Sequence, residues 1–144
     1  MNSRALKKHL GFDAGCTGWS LPRRSLVALL RERLDLEIVP PNQLKPGHYD
    51  RFGLDTRDEW ELGCWINDNA VMADWPSDGG RPLRDIERDV VAALGPPLNL
   101  THCRTRWTAM VKGKRAECAQ LAEQWAVERG LAPSSSPWSD PPAP

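Results

Sequence analysis

Apolar residues recur at helical spacing in four stretches of this chain, and one further short run is mostly apolar. Ser20 is followed by Leu21 and Pro22, a helix start with proline in its first turn, and Leu26, Val27, Leu29, Leu30 and Leu34 follow at helical intervals. This spacing predicts a helix over residues 21–34. Glu37, Ile38 and Val39 read as a short extended stretch stopped by Pro40 and Pro41, and the segment onward to Leu54, with Pro46, Gly47 and Asp50, reads as a loop. Thr56-Arg57-Asp58-Glu59 fits a capping box, in which the threonine hydroxyl satisfies an orphan N–H and the glutamate three residues on reaches back. The helix it opens carries Trp60, Cys64 and Trp65 on one side and ends near Asn67-Asp68-Asn69. Residues 70–75, short and apolar, predict a strand, and Pro76-Ser77-Asp78-Gly79-Gly80 a loop. Leu83, Ile86, Val90, Val91 and Leu94 define a third helix, ended by Gly95-Pro96-Pro97. A fourth, over residues 106–128, carries Trp107, Met110, Val111, Leu121 and Trp125, with Gly130 as its C-cap. Residues 132–144 are mostly proline and serine and are expected to be a disordered tail. The pattern gives one α+β, mostly helical domain over residues 1–131, with one clear strand, about four helices and no internal repeat.

Composition narrows the class. At 144 residues, with 40% hydrophobic and 26% charged residues, the chain has room for one modest core and is close to the globular norm. The uncharged run at Leu26–Leu30 is broken by Arg31, far short of the ~20 residues of a bilayer crossing, so no membrane partner is expected. The N-terminus has charges but no apolar stretch or cleavage site after them, and the expected location is the cytoplasm. Cys16, Cys64, Cys103 and Cys118 lie too far apart for a zinc or redox pair and are expected to be buried or idle thiols.

Charge is zero overall but unevenly placed. Residues 1–33 hold seven cations against two anions, residues 34–90 six against thirteen, and residues 91–144 six against four. Basic ends around an acidic centre suit a polyanion groove with a metal site between; the plainer account is solvated charges that pair across the fold. Within the third helix, Glu87 falls inside the apolar stripe at ~100° per residue, whereas Arg84, Asp85, Arg88 and Asp89 fall opposite it. A carboxylate there must be paired, metal-bound, at the lip of a cleft, or at the rim with its head in water. Asn99, after the Pro-Pro stop, on its own suggests only local turn hydrogen bonds. Five of the seven tryptophans are expected in the core, whereas Trp19 and Trp138 lie outside the predicted helices. Lys112-Gly113-Lys114-Arg115 is a short basic cluster expected on a solvated helix face.

Ile86-Glu87, a helix ending in Leu94-Gly95-Pro96-Pro97, and then Leu98-Asn99-Leu100 together resemble the end of a GIY-YIG endonuclease domain, where the helix carries a metal-binding glutamate and a Pro-Leu-Asn turn follows. Residues 4–11, beginning Arg4-Ala5-Leu6-Lys7-Lys8-His9, are similar to the arginine-bearing segment after that family's second tyrosine strand. Leu21-Pro22-Arg23-Arg24-Ser25-Leu26 resembles its following helix, and residues 71–75 its third strand. The similar segments run in the right order from Arg4 to Trp125. The resemblance implies that Arg4 stabilises charge on a phosphate, that Glu87 holds one Mg²⁺, and that Asn99 braces the site.

The two strands that carry the family's signature tyrosines lie upstream of its arginine segment, and only three residues precede Arg4 here. The sole tyrosine, Tyr49, matches neither motif, so the resemblance supplies no general base, and His9 is a speculative substitute. A truncated frame, a partner strand from residues 37–39, or a second chain completing the sheet would each account for the gap. The expected function is Mg²⁺-dependent hydrolysis of DNA phosphodiesters, or an inactive remnant of it. Two alternatives stand beside it. One is a non-catalytic module that holds nucleic acid through a basic face of Arg4, Lys7, Lys8, Arg23 and Arg24; the other is a protein-interaction module using exposed tryptophans.

Overall fold

The computed structural model describes residues 16–44, 47–71, 80–96, 98 and 105–131. Among them are five α-helices: α1 (Cys16–Trp19), α2 (Leu21–Leu34), α3 (Thr56–Asn69), α4 (Leu83–Leu94) and α5 (Thr108–Glu128). Strands β1 (Ile38–Val39) and β2 (Gly53–Leu54) pair antiparallel, Ile38 opposite Leu54 and Val39 opposite Gly53, with a 3₁₀ turn at Tyr49–Arg51 between them. The chain is α+β and mostly helical.

Local chemistry sets the helix ends. The Ser20 hydroxyl accepts from Arg23 N–H at the start of α2, and Pro22 occupies the first turn, where its missing N–H costs nothing. Helix α2 ends on Asp35 in the left-handed region (φ 52°), with the Leu36 N–H donating to Arg31 O. Gly95 (φ 54°) stops α4. Gly130 (φ 68°) closes α5 as a Schellman motif, the Leu131 N–H donating to Ala126 O and the Gly130 N–H to Val127 O.

The start of α3 differs from the expected capping box by one residue. Asp55, not Thr56, is the N-cap, its carboxylate accepting from Asp58 N–H at 2.8 Å. Glu59 does not reach back to the cap; it turns inward to the α1–α2 corner. The extended stretch at residues 37–39 becomes β1, and its partner β2 lies inside the stretch expected to be loop. Two-residue strands carry no period for a sequence pattern to reveal. The strand expected over residues 71–75 lies outside the described residues from Met72 onward, as does the tail over 132–144; Val71 is an exposed, non-strand residue.

The core sits where α2, the β1–β2 ribbon, α3 and α5 meet: Val27, Ala28, Leu36, Ile38, Phe52, Leu54, Leu62, Ile66, Cys118 and Ala122. Helix α5 contributes its small side chains, Val111, Cys118, Ala122 and Ala126, which lets its backbone approach α2 and β1 closely. Trp125 of α5 and Trp107, the residue before the helix, are not among those buried side chains. Trp125 is half-buried and donates its indole N–H to Glu37 Oε1 at 3.0 Å, whereas Trp107 is exposed. Trp60, expected in the core, is also exposed, because α3 turns Asp58, Glu59, Leu62, Gly63 and Ile66 inward. Trp19, expected outside any helix, is the last residue of α1 and is exposed. Gly18 is fixed by close approach: a Cβ there would lie 3.1 Å from Arg51 O and 3.2 Å from Pro41 Cβ. No described helix is long and apolar enough to cross a membrane.

Candidate metal and nucleic-acid site

Helix α4 carries the carboxylate with the strongest expectation of chemistry. Pro82 precedes the helix and its carbonyl accepts from Asp85 and Ile86 N–H. On the first two turns the charges pair among themselves, Asp85 with Arg88 at 3.2 Å and Asp89 with Arg81. The Arg81 guanidinium, hydrogen-bonded to it, lowers the Asp89 pKa below its ordinary value. Glu87 has no ion pair among the described residues and is exposed.

The burial of α4 departs from the expected stripe. Val91 is its one buried side chain, Ile86 is half-buried, and Leu83 (73% exposed), Val90 and Leu94 (76%) face outward. Glu87 is thus not a carboxylate forced among core residues; of the accounts open to it, the structure shows the head in water.

A lone, accessible carboxylate suits Mg²⁺, which keeps several waters and is commonly held by one or two carboxylates together with substrate phosphates. No group of three or more histidine, cysteine or acidic side chains able to cage an ion occurs among the described residues. A metal here would therefore be held by Glu87 together with groups beyond them or with substrate. Arg4, Lys7, Lys8, His9 and Asn99 lie outside the described residues.

Arg23 and Arg24 do not form the basic face expected of them. Arg23 is fully buried, and its Nη2 pairs with Glu59 Oε2 at 2.6 Å and also donates to Glu59 O at 3.3 Å. The Thr17 N–H donates to Glu59 Oε1 at 2.8 Å, and Arg23 Nε to Thr17 Oγ1 at 3.4 Å. Arg23 therefore serves the fold, its charge neutralised by a partner on α3. Arg24 is 8% exposed, and its Nη1 donates to Asp50 O at 2.9 Å. Burial, followed by the charge of Arg115, lowers the Arg24 pKa from its ordinary value. Neither arginine is the freely solvated cation that the sequence suggested.

The described thiols differ in surroundings. Cys118 lies in the core, where burial pushes its thiol up to about 11; Cys64 is half-buried, and both are free. Buried, protonated thiols match the expectation of idle cysteines for Cys118.

Sequence reasoning missed Glu59, whose pairing with Arg23 spans 36 positions. It also missed Arg51, which lies over Trp19 at 5.7 Å from the ring centroid. A model of the GIY-YIG catalytic domain matches residues 1–120. A match over that much of the chain defines a nuclease-related domain, and the protein belongs to the GIY-YIG family. Neither the curated proteins nor the solved structures contain a match to the chain.

Proposed function

We propose that this chain is a nuclease domain acting on DNA, in which Glu87 holds Mg²⁺ at the site of phosphodiester hydrolysis. The observation that carries this is the selective freedom of Glu87: its acidic neighbours on α4, Asp85 and Asp89, are both occupied by arginines, and its own carboxylate faces solvent. The family match over residues 1–120 supports reading that carboxylate as the family's metal-binding glutamate. Bound Mg²⁺ would polarise a phosphoryl oxygen and offset charge developing on the phosphate. On this reading Arg4 places a second positive charge against the phosphate, Asn99 braces the site, and His9 takes the proton from the attacking water. Lys7 and Lys8 contact backbone phosphates on either side.

The test is nicking of supercoiled plasmid and cleavage of branched DNA with Mg²⁺ or with EDTA, comparing wild type and Glu87→Ala. The expected result is metal-dependent cleavage in the wild type that falls at least 100-fold in the variant, an order set by typical losses of charge stabilisation at a reacting centre. Because Glu87 is exposed and unpaired, the variant should melt with the wild type, so lost activity cannot be lost folding. Folded wild-type protein that leaves both substrates intact would overturn the enzyme reading, and the non-catalytic nucleic-acid-binding module would take its place.

A further inference from the structure

Three arginines from separate elements converge at the surface where α2, the 3₁₀ turn and α5 meet. Arg24 of α2 donates to the carbonyl of Asp50 in the turn, Arg51 is the next residue, and α5, which carries Arg115, packs on the same turn, the Arg115 charge helping to lower the Arg24 pKa. Gathering like charges is costly, and folds ordinarily offset it with carboxylates. None of the three has an ion pair among the described residues, and the one carboxylate whose charge bears on Arg24 and Arg115 is that of Asp50. The shortage is local. One helical step away, Lys114 pairs with Glu117 at 3.3 Å, and Arg31 bridges Glu32 and Glu117. The short basic cluster at residues 112–115 is therefore split, Lys114 neutralised while Lys112 and Arg115 have no ion pair among the described residues.

Two further features point to a ligand. Arg24 Nε is shut away from solvent without a hydrogen-bond partner among the described residues, on a side chain more than nine-tenths buried. Beside the cluster, Trp19 is 67% exposed, with the Arg51 guanidinium over its ring. A tryptophan held out in water next to uncompensated arginines is the pairing that single-stranded nucleic acid uses, a base stacked on the ring and the adjoining phosphate on the cations.

We propose that Arg51 and Arg115, with Arg24 beneath them, hold a backbone phosphate of a nucleic-acid strand whose neighbouring unpaired base stacks on Trp19. This rests on the reading that the domain acts on DNA and deepens it: the strand it engages has at least one unpaired base. The contact is a positioning surface on elements other than the helix that carries Glu87, and takes no part in the hydrolysis.

The test is fluorescence anisotropy of a labelled 20-nucleotide single strand and of the matching duplex, titrated with full-length protein in EDTA over a range of KCl concentrations. With metal removed, binding is read without cleavage; failure of the nuclease reading shows only in the Mg²⁺ cleavage assay, as DNA left intact by protein that still binds here, and failure of this one shows as binding indifferent to these residues. The wild type should prefer the single strand. Arg51→Gln and Arg115→Gln should each weaken binding and reduce the slope of log K against log salt, the two together by about 0.7, the loss of the one phosphate contact they share. Trp19→Ala should weaken strand binding about tenfold and leave the slope unchanged. Should Arg115→Gln fail to fold, the other two variants alter exposed side chains and carry the test. Equal affinity for strand and duplex, or wild-type affinity and slope in the Arg51 and Trp19 variants, would overturn the proposal.

Discussion

Arg23 and Glu59 are both wholly removed from solvent, and what makes that tolerable is that their polar atoms are used several times over. One guanidinium nitrogen serves the carboxylate and the carbonyl of Glu59, the Nε serves Thr17, and the second carboxylate oxygen takes the Thr17 N–H. Such a pair is weak evidence for net stability, because the desolvation of two ions offsets most of their attraction. Losing one member is another matter. Arg23→Met leaves Glu59 charged and buried, and should lower the unfolding free energy by about 3–5 kcal/mol in urea denaturation. Arg23→Met combined with Glu59→Met should recover a large part of that loss, though not all, because the Thr17 N–H then has no acceptor. Strict additivity of the two single losses would show that the residues do not act as a pair.

At the scale of elements, the boundaries readable from sequence were those set by short-range chemistry. Ser20 and Pro22 mark the start of α2 and Gly95 stops α4, through a side chain, a missing N–H and a left-handed glycine acting within a few positions, whereas the end of α2 after Leu34 falls on a left-handed Asp35. The start of α3 shows where that reading stops working. Asp55 and Thr56 are both good N-cap residues, and Thr56 with Glu59 completes a better motif. The structure chooses Asp55 because Glu59 is needed by Arg23, 36 positions away, and no local pattern contains that demand. The same limit explains why Arg23 and Arg24 looked like a basic face: a hydropathy pattern assigns charge to the surface and cannot see a partner on another helix. Glu87 drew attention because the sequence set it inside an apolar stripe that the structure leaves largely open, whereas the Arg51–Trp19 pair forms across a turn whose geometry the sequence does not display. The choice of cap has a direct consequence. Asp55→Ala should destabilise the protein by about 1 kcal/mol, whereas Thr56→Ala, at an exposed position without a cap hydrogen bond, should stay within about 0.5 kcal/mol. Denaturation midpoints in the reverse order would restore the capping box.

Across the whole molecule, anchoring is unequal, and the least anchored long helix carries the carboxylate that the proposed chemistry needs. Helices α2 and α5 pack on each other, and α5 also on β1, burying Val27, Ala28, Val111, Cys118, Ala122 and Ala126. Helix α4 buries only Val91, and leaves Leu83, Val90 and Leu94 open. Opening free energies follow buried apolar contact, so amide hydrogen exchange should be fastest, relative to intrinsic rates, over residues 83–94 and slowest over 21–34 and 108–128. A ligand that binds the folded form alone stabilises whatever it must order. If Glu87 holds Mg²⁺ against a DNA phosphate, adding both together should slow exchange in residues 83–94 more than in either core helix, and Glu87→Ala should abolish that difference. Protection of α4 equal to that of α2 before any ligand is added would mean that its open apolar face is covered by contacts beyond the described residues, and that Glu87 is held in place by the fold rather than by what binds to it.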